Sequence, residues 1–128
     1  MTPPAATRST IPRIISVDDH VVEPPHVWSS RLPAKYRDRG PRVEILPRGV
    51  PKLVDGVWVE EPGDGPEMAA WWHYDDHRYQ LRLMIACPGL PPEEVKPIGV
   101  TFDDIAPGCH IPKARIADMD ANHVEASL

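Results

Sequence analysis

Proline sets the limits of what this chain can fold into. It carries 17 prolines in 128 residues, about 13% against an average near 5%. Each proline lacks a backbone N–H and fixes φ, so it breaks helix interiors and central strands alike. Eight glycines add further punctuation. A helix bundle or a continuous β-sandwich is therefore excluded. A loop-rich chain with a few short regular elements remains, and such a chain buries little core by itself.

No run approaches the roughly 18 apolar residues needed to span a bilayer, so no membrane partner is expected. Fourteen Lys and Arg against 19 Asp and Glu give a net charge of −5, which argues that no nucleic acid is held by charge. Residues 1–12, MTPPAATRSTIP, have no apolar stretch of the secretory kind and the composition of a disordered tail. The two cysteines, Cys87 and Cys109, are too few for a disulfide framework and wrongly spaced for a zinc knuckle. Reduced thiols and a cytoplasmic location follow as the expectation.

The first regular element is expected over 13–21, RIISVDDHV, a β-branched run without Gly or Pro. Period two would put Ile14, Ser16, Asp18 and His20 on one face. Glu23-Pro24-Pro25 ends it. Short helical turns are expected near 27–31 and 34–37, on either side of Pro33. A hairpin is expected between 42–47 and 51–60, unless Asp55-Gly56 is itself the two-residue turn. WWHYDDHRYQLRLMI, 71–85, reads as a helix. Pro112 suits a first helical turn, and 113–122 has helical spacing, with Arg115 able to pair with Asp118. Residues 124–128 alternate again, like a strand just begun. Strand, excursion, helix and second strand suggest an incomplete βα-type fold.

Asp18-x-His20 is the sharpest chemical signal. On a strand, side chains two apart share a face about 6.5 Å from each other. A carboxylate and a neutral imidazole so placed can converge on one divalent ion, zinc first, with manganese or iron also suited. Glu23 follows three residues later as a third ligand or as a carboxylate supporting one. The alternative is that Asp18 and His20 cap a turn or face water. His73 and His77 are four apart, like a helical metal pair, but their Trp and Tyr neighbours favour packing. Cys109-His110 is adjacent in sequence, whereas a nucleophile pair needs adjacency in space. Lys35, Arg37 and Arg39 read as a solvated face.

Taken together, ISVDDHVVEPP, the turn at Trp28, RLPAKYRDRGPRV, WWHYDDHRYQ and PGCHIPKARIADMDANHVEASL resemble the amidohydrolase-related family, its amidohydrolase 2 branch. That branch includes aminocarboxymuconate-semialdehyde decarboxylase-like enzymes. The resemblance covers Ile14 to Leu128. It implies the N-terminal part of a (β/α)8 TIM-type barrel over 13–128: first strand, inserted hairpin and loop excursion, first helix and start of the second strand. A whole barrel needs about 250 residues. The family's acid-x-His metal pair corresponds to Asp18 and His20, and the acid of its D-x-H-x-x-E form to Glu23. Its later ligands, a mid-barrel His and a late Asp, correspond to nothing in this chain. Two positions depart from the family pattern: Asn122-His123 stands where Gly usually follows the helix, and His110 where an aromatic is common.

The implied function is a metal-dependent hydrolase acting on a small-molecule substrate, here as an N-terminal fragment inactive alone. The alternatives are a metal-dependent, non-oxidative decarboxylase of a small aromatic or unsaturated acid, which would use the same pair, and a non-catalytic fragment. In the last reading the 42–107 excursion is an association surface, and its open strand edges allow a homo-oligomer.

Overall fold

The computed structural model describes residues 11–128, so the tail expected over 1–12 lies outside the described residues except for Ile11 and Pro12. The chain begins with a short strand β1 (Ile14–Ser16) and ends with α1 (Pro112–Ala121) and β7 (Val124–Ser127). Between them lie β2 (Arg42–Pro47), β3 (Lys52–Val54), β4 (Val57–Val59), β5 (Met68–Tyr74) and β6 (His77–Gln80), linked by loops and single 3-10 turns. No helix among the described residues is long and apolar enough to cross a membrane.

The described residues form three small sheets. The largest is antiparallel, with β5 at its centre between β2 and β6. Its register sets Arg42 opposite His73, Ile45 opposite Ala70 and Trp71 opposite Gln80. The hairpin β3–β4 stands apart from it, and β1 pairs with β7 in parallel. This overturns the expected barrel segment. Among the described residues, mostly antiparallel strands and one α-helix are found where a barrel's opening would repeat strand and helix. The physical reason is the punctuation of the chain. Pro and positive-φ turns cut the long middle into pieces too short for crossover helices, and short strands joined by tight turns pair antiparallel.

Three local expectations change with it. The helix expected over 71–85 is instead β5, a turn at Asp75, where φ is +52°, and β6. Trp, Tyr and His favour a pleated, half-buried surface, and an Asp tolerates the left-handed turn. The expected hairpin between β2 and β3 does not form, because β2 pairs with β5. Asp55 and Gly56, at φ +50° and +80°, turn β3 into β4, as a two-residue turn of the primed kind requires. The opening strand covers only Ile14–Ser16, so Asp18 and His20 lie in the loop beyond it. By contrast α1 opens on Pro112 at its first turn, and β7 covers the last alternating stretch.

The core is small. Ala70, Leu81, Ala86, Val100, Ile105 and Cys109 form its buried cluster, with Val22, Val43 and Phe102 packed against it. Ala69 to His73 are all buried, so β5 is covered on both faces. Backbone bonds extend this centre: Leu81 N–H donates to the Ala70 carbonyl at 2.7 Å, and Val100 N–H to the Leu81 carbonyl at 2.9 Å. Gly49 is required where the chain crosses Trp71. A Cβ there would strike the Glu61 carbonyl oxygen and lie 2.8 Å from the indole ring.

Candidate functional site

The loop leaving β1 is held at both ends. At its start, the Ser16 carbonyl accepts from Leu128 N–H at 3.0 Å, just beyond β7. At its end, Val22 N–H donates to the Cys109 carbonyl at 2.7 Å, ahead of α1. Between these anchors, of the five residues 17–21, Asp19 alone is turned inward, and Val17, Asp18, His20 and Val21 are exposed.

Asp18 and His20 point out. Their side chains are 92% and 88% exposed, and Asp18 Oδ1 lies 3.6 Å from His20 Nε2. The structure therefore brings together the two residues singled out in the sequence, without the strand expected to do it. An oxygen and an imidazole nitrogen facing one another at that distance, open to solvent, fit two positions on a divalent ion.

Glu23 is engaged elsewhere. Its Oε2 accepts from the Tyr74 hydroxyl at 2.8 Å. Burial, and then that bond to a carboxylate, push the Tyr74 phenol well above its ordinary range. Among the described residues no three His, Cys, Asp or Glu side chains are placed to hold a metal ion. Asp18 and His20 thus make a two-donor arrangement, and Glu23 does not complete it.

Asp19, between the pair, points in. Ser16 Oγ donates to its Oδ1 at 2.8 Å, and Ser127 Oγ donates to its Oδ2. Arg115 Nη2 on α1 lies 3.2 Å from the same Oδ2. The expected Arg115–Asp118 pair is thus replaced by one that reaches across the fold. The Ser127 hydroxyl first, then Ser16 and Arg115, hold the Asp19 carboxyl below its usual range, so it is ionised at neutral pH. Sequence reasoning passed over Asp19 and Ser127 and gave Arg115 a different partner. The only local signal was the run of three polar groups, Asp18-Asp19-His20, directly after an apolar strand.

A cleft of about 300 Å³ opens beside this loop, lined by Val21, Val22, Glu23, Pro24, Gly108, Cys109, His110, Ile111, Pro112 and Arg115. Its wall is almost wholly apolar. Burial raises the Cys109 thiol above its ordinary range, which suits a packed rather than a nucleophilic cysteine. His110 packs edge-on against Phe102, with ring centres 5.2 Å apart.

The other sequence candidates serve packing and surface. His73 is buried on β5, with Nε2 3.5 Å from Glu44 Oε2, while His77 is exposed at the start of β6. They face each other's strands and share no helix. Lys35 lies over the Tyr36 ring, Arg37 caps the Leu32 carbonyl, and Arg39 pairs with Asp75. At the end of α1 the left-handed residue is His123, at φ +58°, and not Asn122. Asn122 instead donates its side-chain amide to the Asp118 carbonyl at 2.8 Å.

Comparison of the chain with protein-family models finds no match, and comparison with curated proteins finds none either.

Proposed function

We propose that this chain supplies the acid–imidazole pair of a metal-dependent hydrolase of the amidohydrolase-related kind, with Asp18 and His20 as its metal donors. One observation carries the reading: Asp18 Oδ1 and His20 Nε2 face each other at 3.6 Å, in the open, on a loop leaving the C-terminal end of a strand. A divalent ion held there would supply Lewis acidity, which activates water and polarises a carbonyl. To such an ion Asp18 would offer a carboxylate oxygen and His20 an imidazole nitrogen. The apolar cleft starting at Val21 adjoins His20 in sequence and offers a place for the apolar part of a small ester or amide. The free thiols of Cys87 and Cys109 support a reducing, cytoplasmic setting.

Zinc titration followed by the imidazole resonances of all six histidines tests the assignment. The His20 resonances are expected to move with zinc, and His20→Ala to remove that response. Zinc-dependent shifts confined to His73, His77 or His110, or none at all, would overturn it. The purified chain is also expected to hydrolyse a test ester no faster than free zinc, because catalytic zinc sites use three protein ligands and the described residues offer two. Metal-dependent turnover that disappears in His20→Ala would show that the pair is sufficient.

A further inference from the structure

We infer that Asp19 is the positioning residue of this site: it fixes the loop so that its two neighbours, Asp18 and His20, meet. The inference rests on the reading of Asp18 and His20 as a donor pair, but its physical content is independent of any metal.

The argument starts from the loop's own weakness. Five residues without regular backbone pairing have many conformations, and fixing each costs about 1–2 kcal/mol of backbone entropy. Asp18 and His20 cannot supply that ordering, since both are almost fully exposed, and polar contacts between exposed side chains contribute little. The end anchors, Ser16 to Leu128 and Val22 to Cys109, leave the middle of the loop free to rotate. Asp19 is the residue at that middle, and its carboxylate is held from three elements at once. Ser16 ends β1, Ser127 ends β7, and Arg115 projects from α1. Ser127 is 108 residues away in sequence. With Asp19 drawn inward, the residues on either side of it must turn outward, and their side chains arrive within 3.6 Å of each other.

The same contacts make the pair report on the rest of the fold. β1 and β7 are a two-stranded parallel sheet with a bulge between Ile14 and Ile15, a weak pairing by itself. Asp19 links their C-terminal ends through the paired residues Ser16 and Ser127. The geometry of Asp18 and His20 is therefore conditional on β7 and α1 being docked, through the bonds that Ser127 and Arg115 make to Asp19.

Backbone 15N relaxation and side-chain Hα–Hβ couplings on the whole chain, without metal, test this directly. In the wild type, order parameters for residues 17–21 are expected near the rigid value of about 0.85, and in Asp19→Ala below about 0.6, with the Asp18 and His20 couplings averaging over rotamers. Asp19→Asn keeps an acceptor oxygen and is expected to restore part of the order. Ser127→Ala removes one donor only and should shift the same residues in the same direction by less, so it decides the matter if Asp19→Ala does not fold. Zinc affinity in Asp19→Ala is expected to fall about 10- to 100-fold, as for partners that orient a metal ligand. Unchanged order and couplings at 17–21 in a folded Asp19→Ala or Ser127→Ala chain would overturn the inference, whatever zinc does. Wild-type order lost on substitution, but with no zinc response at His20, would leave the positioning role standing and overturn the metal reading instead.

Discussion

Trp71→Ala is expected to lower the stability of the fold by about 3–5 kcal/mol, the usual range for emptying a buried aromatic site. Small domains hold only about 5–15 kcal/mol in total, so the variant is expected to lose a large share of its stability. The side chain is fully buried at the centre of the three-stranded sheet, and with Leu81 it is the largest so buried. Its indole Nε1 donates to the Pro47 carbonyl at 3.2 Å, and its ring forms the floor beneath Gly49. Gly49, against which the ring packs, has no side chain with which to refill the space. Urea denaturation followed by circular dichroism reads the effect as loss of the cooperative transition, or as a fall in midpoint of roughly 1–5 M for a usual urea slope of about 1–3 kcal/mol/M. A midpoint within about 0.5 M of the wild type would show that the chain has its stabilising core elsewhere.

Gln80→Leu is expected to cost about 2–4 kcal/mol although it replaces a polar residue by an apolar one of similar size. Burying apolar surface ordinarily stabilises, but here it would strand two backbone groups, and each buried group left without a partner costs about 1–3 kcal/mol. Gln80 is 3% exposed. Its Nε2 donates to the Gly49 carbonyl at 2.8 Å, and its Oε1 accepts from Gly49 N–H at 3.2 Å. The side-chain amide thus stands in for a strand that would otherwise pair with Gly49. Gly99 closes the other side, where a Cβ would collide with the Gln80 amide. Amide hydrogen exchange is the sharper readout: the Gly49 proton is expected to exchange much faster in the variant, with little change at the Ala70–Leu81 backbone bond. Trp71 and Gln80 both act on Gly49 and lie opposite each other in the β5–β6 register, so the double variant is expected to be less destabilised than the sum. Strict additivity would show that the two residues do not act through Gly49 together, and unchanged protection at Gly49 would show that the amide bonds contribute nothing.

These two residues also show where sequence reading stopped. The segment WWHYDDHRYQ carried aromatics, a histidine pair at helical spacing and no Gly or Pro, and it read as a helix. What decides it is the turn at Asp75 together with the availability of β2 as a pairing partner for β5. Neither Trp71 nor Gln80 announces its burial, because burial here depends on a loop residue, Gly49, that lies 31 residues from Gln80. At the site, the choice of Asp18 and His20 needed only their spacing, whereas their meeting does not come from strand alternation, since β1 ends at Ser16. Glu23 was attractive by spacing as well, and Tyr74 holds it elsewhere.

What the chain determines by itself is local. Proline at the first turn of α1, Asp55-Gly56 at the β3–β4 turn and the general brevity of its elements all follow from φ constraints that act within a few residues. Pairing is different, because hydrogen-bond partners are interchangeable backbone groups and side-chain alternation says nothing about which strand will arrive. Only the tertiary structure decided that β5 would be the covered centre of an antiparallel sheet. It alone turned Asp19 inward to meet Ser127 from the far end of the chain, leaving Asp18 and His20 facing each other in solvent.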